Sequence, residues 1–439
     1  MTDEPTRRPV RVTRRQLVAG MGSATFGGLL AGGAAGFFGG RSGEDAEASG
    51  GKGKPITVGA LLPVTGAAAG DAQEQLRGLK LGAKQINDAG GIGGRPIEIQ
   101  VQDARDQAPN VMTAAMRKFV GDRVAAIFSP FLSYTNIETP IVGKARIPLF
   151  HINTFQGNVD WAKKNGYDSI FQCCPSETWY ATGFRAVMDE LIAAGRFTPR
   201  SRTAAIVTGN DAYSASVAST FRKDIEKAGW KVVQYDTYTA PQADWGGVLA
   251  RIRSKDPDVI FQSDYLPGDE ASFIKQFAQA PTRSLVYQLY APSVPEYLEL
   301  AGKAGDGVMW ATTTGTMFED ELGRRFFDDY RRAYGEDPGR SNAGANYDMI
   351  RLWAQAAALA SSPFAYDEVA ANVRTQVFRG VNGAYVLGEQ LTCLPYPAAI
   401  RDPSLGMALQ TYQIQDGKQV RISPEPYTTG EFQEPSWLA

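Results

Sequence analysis

The feature that most constrains the fold of this chain is a regular alternation, starting near residue 55, of short apolar segments with longer segments that carry apolar residues at helical spacing. The apolar runs predict buried parallel strands at 56–62, 96–101, 124–128, 147–151, 203–208, 231–235, 258–262 and 285–289. Helices are predicted at 73–87, 110–120, 137–144, 177–194, 213–227, 245–254 and 271–279. Such alternation is typical of βαβ units and predicts an α/β protein with parallel sheets.

The alternation runs twice, and the second run begins with the predicted helix at 177–194. Two runs predict two sheets, and right-handed crossovers make each of them doubly wound. In open parallel sheets a ligand lies beyond the carboxyl ends of the strands. The loops that directly follow strands are therefore the candidates for a functional site.

Composition excludes several classes of protein. The chain has 45 basic and 47 acidic residues and a formal charge of -2, so it offers no basic surface for nucleic acid. His151 is the single histidine, which argues against a histidine-rich zinc site, and we expect it to be structural or to line a ligand pocket. The sequence has no dinucleotide-binding, Walker or nucleophile-elbow motif, so we expect neither an enzyme nor a cofactor or metal.

Three cysteines leave two interpretations open. Cys173 and Cys174 are adjacent and poorly placed to bridge each other. One of them could pair with Cys393, or all three could be buried thiols.

The first 48 residues predict an export signal. Arg14 and Arg15 precede a glycine- and alanine-rich apolar stretch, the pattern of a twin-arginine signal read by the twin-arginine export machinery. Cleavage is predicted after Ala48, and residues 49–54 form a flexible lead-in. Because no cysteine is placed for lipid attachment, we expect a released periplasmic protein; an uncleaved anchor is the alternative.

Several segments resemble a known family. The early ones are residues 58–66, 78–87 and 90–96 followed by Asp103, and the later ones are 244–245, 257–261 and 346–348. Together they resemble the type I periplasmic solute-binding proteins of ABC transporters, which bind leucine, isoleucine and valine, or amides and urea. The resemblance covers nearly all of the chain from Pro55 onward.

The resemblance implies two lobes joined by three hinge crossings, which position places near Cys174, Tyr290 and Gly380. Lobe one is then predicted at 55–174 and 291–377, and lobe two at 175–289 and 378–439.

In lobe one, two loops are predicted to hold the ligand. Residues 129–136 follow a strand and lead into a helix, where hydroxyl groups and backbone N–H groups favour an anionic group. The candidates there are Ser133, Tyr134 and Thr135. In the loop after the next strand, Asn153 and Thr154 can donate hydrogen bonds, and Phe155 is either a pocket wall or core.

In lobe two, the resemblance implies that Tyr213 contacts the ligand, while Asp211 caps the helix that carries it. The same resemblance implies an acid in the loop at 262–270 that pairs with a ligand ammonium. Asp264 is the first candidate, with Asp269 and Glu270 behind it, and Tyr265 lies beside them.

These residues predict a monomeric binding protein. We expect it to capture an amino acid, an amide or a related carboxylate, with room for an aromatic or bulky apolar group, and to deliver it to an ABC permease. Two alternatives stay open: a ligand-binding protein that presents its ligand to a sensory receptor, and a two-domain α/β enzyme.

Overall fold

The computed structural model describes residues 53–66, 68–105 and 107–438. The predicted signal peptide at 1–48 and most of the lead-in at 49–54 lie outside the described residues. No helix in the described part of the chain is long and apolar enough to cross a membrane.

The first sheet has five parallel strands in the order β2-β1-β3-β4-β5. Its strands are β1 (Ile56–Leu62), β2 (Ile97–Asp103), β3 (Ile127–Phe128), β4 (Leu149–His151) and β5 (Ile170–Gln172). The helices between them are α1 (Ala69–Asp88), α2 (Pro109–Asp122), α3 (Thr139–Ala145) and α4 (Gln156–Lys164). We call this sheet and the helices packed on it the first lobe.

The second sheet has seven strands in the order β16-β15-β10-β9-β8-β6-β7. Five are parallel: β6 (Thr203–Gly209), β7 (Lys231–Tyr238), β8 (Val259–Ser263), β9 (Leu285–Gln288) and β10 (Met309–Thr312). The antiparallel edge is β15 (Gln410–Gln415) and β16 (Lys418–Ser423). Its helices are α5 (Thr178–Ala193), α6 (Ala212–Lys227), α7 (Gly246–Lys255), α8 (Pro267–Phe277) and α9 (Pro295–Ala301). This is the second lobe.

The chain then returns to the first lobe with α10 (Glu321–Tyr334), α11 (Asn342–Leu359) and α12 (Tyr366–Thr375). Two small sheets follow: β11 (Phe378–Gly380) pairs with β12 (Gly383–Tyr385), and β13 (Pro395–Tyr396) with β14 (Met407–Ala408). Asp348 of α11 accepts hydrogen bonds from the N–H groups of Val381 and Asn382, each at 2.9 Å, which ties the β11–β12 hairpin to the first lobe.

The core explains why the strands were visible as apolar runs. Every residue of β8 and β9 is buried, because helices cover both faces of the second sheet. On one face Phe184 and Tyr287 stack with ring centroids 4.1 Å apart, and on the other Trp310 stacks on Tyr412 at 4.5 Å. The α/β class and the two parallel sheets are confirmed.

Strand pairing differs from the predicted second crossing near Tyr290. Residues 309–312, which fall in the range predicted for lobe one, form β10 and pair with β9 of the second lobe. The chain therefore crosses after β10 and returns only at β15. No strand was predicted at 309–312, and hydrophobic periodicity does not show which sheet a strand joins, since that depends on long-range pairing.

A close helix contact holds the first lobe together. Helix α1 packs along α11 so closely that a Cβ at Gly78 would lie 2.1 Å from the carbonyl oxygen of Ala343. Only glycine permits the two backbones to approach in this way.

Candidate ligand-binding site

A cavity of about 320 Å³ lies where the carboxyl ends of strands from both lobes meet. Its lining residues come from the loops after β3, β4, β8, β9 and β10 and from the first turns of α5, α6 and α11. This volume suits a small organic molecule rather than a peptide. The position agrees with the rule that open parallel sheets bind ligands beyond their strand ends.

The structure brings together seven of the ten predicted site residues. The cavity is lined by Ser133, Tyr134, Thr135, Asn153, Thr154, Tyr213 and Tyr265. Phe155, Asp264 and Glu270 do not line it. The ring of Phe155 packs behind Tyr134, with centroids 4.9 Å apart, so it supports a wall of the cavity.

Asp264 does not line the cavity, which differs from its predicted role as the acid at the ligand. Its carboxylate is buried and accepts hydrogen bonds from the Tyr238 hydroxyl and from the N–H groups of Tyr265 and Leu266. The physical reason is local: these N–H groups precede α8 and have no helical acceptor of their own.

The other two candidate acids, Asp269 and Glu270, also accept hydrogen bonds from backbone N–H groups. Glu270 is buried in α8 and accepts from the N–H of Leu289 at 3.1 Å, while Asp269 accepts from the N–H of Gln242 at 2.8 Å. Asp211 caps α6 through the N–H of Ser214 at 2.9 Å, which confirms the capping prediction. None of these acids lines the cavity.

The first-lobe loop is organised around a carboxylate. Both the N–H and the hydroxyl of Ser133 donate to Glu138, which is fully buried. The N–H of Ser133 is therefore already used, contrary to the expectation of free N–H groups here. The N–H groups of Tyr134, Thr135 and Thr154 donate to no protein acceptor within the described residues. They are therefore free to donate to a ligand.

An amide network fixes the second loop of this lobe. The side chain of Asn153 donates to Asn158 at 2.6 Å, and Asn158 in turn donates to Asn136 at 2.7 Å and to the carbonyl of Ser133 at 3.0 Å. The two loops that carry the hydroxyl groups are thus bound to each other before any ligand arrives.

Tyrosines form most of the apolar wall. They are Tyr134, Tyr180, Tyr213, Tyr265 and Tyr290. Tyr213 makes edge contacts with Tyr180 and Tyr290, with ring centroids 6.4 and 6.5 Å apart. Its hydroxyl is buried and has no hydrogen-bond partner among the described residues, so it is available to a ligand.

Asp71, in the first turn of α1, does not line the cavity but is hydrogen-bonded to the lining residue Tyr290, and sequence reasoning did not single it out. Its side chain is 5% exposed and accepts a hydrogen bond from the hydroxyl of Tyr290 at 3.2 Å. Burial raises the pKa of Asp71 to about 7, although the bond from Tyr290 opposes that rise. The signal was present, because Asp71 lies in the segment that follows the first strand. Thr314, Ser341 and Asn342 were also missed, since they come from the late crossings and α11.

His151 and the cysteines take no part in the lining. His151 is buried, and burial lowers the pKa of its imidazole to about 3, so it is neutral and structural. Cys173, Cys174 and Cys393 are all buried free thiols. In the described part of the chain no cluster of histidine, cysteine and acidic side chains is arranged to hold a metal ion.

A family model described as a periplasmic binding protein matches residues 55–391. The chain belongs to this family. Leu/Ile/Val-binding protein homolog 8 of Brucella abortus is 25% identical over 380 residues, which cover 84% of this chain and 91% of that protein.

Solved structures of this family share the fold. A protein from Silicibacter pomeroyi, assigned as a branched-chain amino acid ABC transporter, is 32% identical, with a TM-score of 0.80 over 87% of this chain and all of that chain. The branched-chain amino acid transporter substrate-binding protein LivJ of Streptococcus pneumoniae, solved with isoleucine, is 20% identical, with a TM-score of 0.69 over 83% of this chain and 97% of that chain. The type I architecture of two α/β lobes is thereby established for this protein.

Proposed function

We propose that this periplasmic binding protein captures a small polar organic ligand, an amino acid or a related amide or carboxylate, and delivers it to an ABC permease. The observation that carries the proposal is the cavity itself, which takes lining residues from both lobes at their strand ends. The relationship to Leu/Ile/Val-binding protein homologs supports the same class of ligand.

The geometry suits capture by closure. Ser133 and Thr154 belong to the first lobe, whereas Tyr213 and Tyr265 belong to the second. A ligand that contacts both sets stabilises the closed arrangement over an open one by its differential affinity. In this proposal the closed form is what the permease recognises, and the protein itself carries out no chemistry.

The proposal includes the route of export. Residues 1–48 act as a twin-arginine signal, and the processed protein works in the periplasm as a monomer. The paired Arg14 and Arg15 support this route because they precede an apolar stretch of modest hydrophobicity.

A thermal-shift screen of the purified protein tests ligand capture. Amino acids, amides, urea and small carboxylates are compared, and a compound that binds the folded state raises the melting temperature by mass action. Each hit is then measured by calorimetry against Tyr213→Ala, which removes a cavity wall and should raise Kd at least tenfold, or about 1.4 kcal/mol.

Tyr235→Ala is the matched control, because Tyr235 is 37% exposed on β7 and does not line the cavity. The proposal predicts that it binds as the parent protein does. Two results would contradict the proposed site: a panel in which no compound shifts the melting temperature, or a ligand whose Kd is the same for Tyr213→Ala as for the parent protein.

A further inference from the structure

Two of the buried cysteines lie in segments that connect the lobes. Cys173 comes directly after β5 of the first lobe and before α5 of the second. Cys393 lies between the β11–β12 hairpin, which is tied to the first lobe, and β15 of the second. A covalent bond between these cysteines would therefore join two of the connections between the lobes.

The backbone register places the two cysteines side by side. Gln172 and Thr392 form a parallel β-bridge, and the next residues on the two segments are Cys173 and Cys393. The N–H of Cys173 donates to the carbonyl of His151 at 2.7 Å, so the strand pairing with β4 continues through Cys173. Neighbouring strands lie about 4.8 Å apart, within the range of roughly 4.4–6.8 Å that a disulfide requires between Cα atoms.

The two cysteine side chains point to the same face of this pair of strands. Gln172 and Thr392 share the opposite face, because Nε2 of Gln172 donates to Oγ1 of Thr392 at 3.0 Å. Successive residues of a strand alternate between faces, so Cys173 and Cys393 share the other one. Burial is the main cause that raises the pKa of the Cys173 thiol, and Cys393 is the largest cause after it, which agrees with the two thiols being neighbours.

Cys174 is the competing thiol. Burial, and then Cys393, raise its pKa as well, so proximity by itself does not separate it from Cys173. Register does separate them: one step beyond the bridge Cys173 lies opposite Cys393, and two steps beyond it Cys174 lies opposite Leu394. Alternation then directs the Cys174 side chain to the face opposite that of Cys393. Cys174 is therefore a control built into the chain.

We propose that Cys173 and Cys393 form a disulfide when the protein meets an external disulfide oxidant, and that this bond holds together two of the connections between the lobes. Cys174 keeps its thiol. The inference goes beyond ligand capture and does not depend on which ligand binds. The periplasm proposed for this protein is an oxidising compartment, in which such bonds persist.

The reaction is thiol–disulfide exchange, which proceeds in two steps. The thiolate of one cysteine attacks the external disulfide, forms a mixed disulfide and releases one external thiol. The thiolate of the second cysteine attacks the mixed disulfide, closes the Sγ–Sγ bond and releases the other external thiol. Two electrons pass from the cysteines to the external disulfide, and the two protons lost by the cysteines end on the released thiols.

The first test treats the unaltered protein with oxidised glutathione at mildly alkaline pH, because burial raises the pKa of all three thiols and exchange requires a thiolate. A second sample is refolded from urea in the same oxidant, so that the thiols are accessible throughout folding. In both samples the thiols counted after denaturation should fall from three to one, and the mass should fall by two hydrogen atoms. Peptide mapping should join Cys173 to Cys393.

The second test uses three matched variants under the same treatment. Cys174→Ala should still lose two thiols and retain the bond. Cys173→Ala and Cys393→Ala should each keep both of their remaining thiols. A bond between Cys174 and Cys393, in the parent protein or in Cys173→Ala, would overturn the assignment by register.

The melting temperature tests whether the bond constrains the connections between the lobes. The disulfide closes a loop of 220 residues, the difference between 393 and 173. A loop of this length should raise the melting temperature of the oxidised protein by roughly 3–6 °C, and a reducing agent should reverse the rise. Cys174→Ala should show the same rise, and Cys393→Ala should show none.

Three results would overturn the inference. The first is three free thiols in both the folded and the refolded samples. The second is a glutathione adduct on one cysteine that never closes to the internal bond, because the two sulfur atoms are then out of reach of each other. The third is a bond that forms and leaves the melting temperature unchanged, since it would not constrain the connections. Ligand capture can be measured separately in each case, so the proposed function stands or fails by its own assay.

Discussion

The contact between α1 and α11 gives a prediction about stability that can be worked from distances. Gly78→Ala would place a Cβ 2.1 Å from the carbonyl oxygen of Ala343, 2.9 Å from its carbonyl carbon and 3.1 Å from the nitrogen of Tyr347. All three atoms are backbone, so no side chain can rotate out of the way. An ordinary contact of about 3.4 Å requires α11 to move outward by about 1.3 Å, the difference between 3.4 and 2.1.

Two effects oppose each other in this variant. Alanine favours a helix over glycine by about 1 kcal/mol. Overpacking between rigid backbones costs about 3 kcal/mol, the upper part of the usual range, because the separation also loosens the neighbouring contacts of the interface. The expected net result is a loss of about 2 kcal/mol in the free energy of unfolding, and a melting temperature lower by roughly 2–3 °C, since the unfolding entropy grows with the length of the chain.

The assay is urea unfolding followed by circular dichroism, with Gly121→Ala as the control. Gly121 lies in α2 near its end, and a Cβ there meets nothing within 4 Å. This control should gain a few tenths of a kcal/mol from helix propensity alone. If Gly78→Ala is as stable as Gly121→Ala, the two helices are not in backbone contact and the packing of the first lobe described above is refuted.

Three further outcomes are expected. Burial raises the pKa of Asp71 and of Glu74 to about 7, so the folded, ligand-free protein binds more protons than the unfolded chain between about pH 4 and 7. Its free energy of unfolding should fall as pH rises through that window, by on the order of 4 kcal/mol for Asp71, and level off above it. Urea titrations in which the free energy of unfolding rises instead would contradict the raised pKa values. Asp264→Asn should lower the melting temperature, because its buried carboxylate accepts from the N–H groups of Tyr265 and Leu266, but it should change Kd less than Tyr213→Ala does; the opposite ranking in calorimetry would restore Asp264 as the ligand acid. Replacing both Arg14 and Arg15 by lysine should keep the protein in the cytoplasm, and unchanged export in fractionated cells would argue against the twin-arginine route.

The sequence by itself determined the class of fold and the region of the site. Apolar runs alternating with amphipathic ones require βαβ units, and the loops after strands are the only places where a parallel sheet offers exposed groups to a ligand. Tyr213, Thr154 and Ser133 were found from that rule and the family resemblance, and all three line the cavity.

Only the tertiary structure decided which sheet β10 joins and which carboxylates are held by other parts of the protein. Both depend on partners distant in sequence: β10 is placed by its pairing with β9 and β15, and Asp71 by a hydrogen bond from Tyr290, 219 positions away. Asp264 shows the converse, because an acid next to helix-initiating N–H groups is drawn to the backbone rather than to the cavity. The local sequence shows that a carboxylate is present. Which hydrogen-bond donors it meets depends on residues that are brought next to it only by folding.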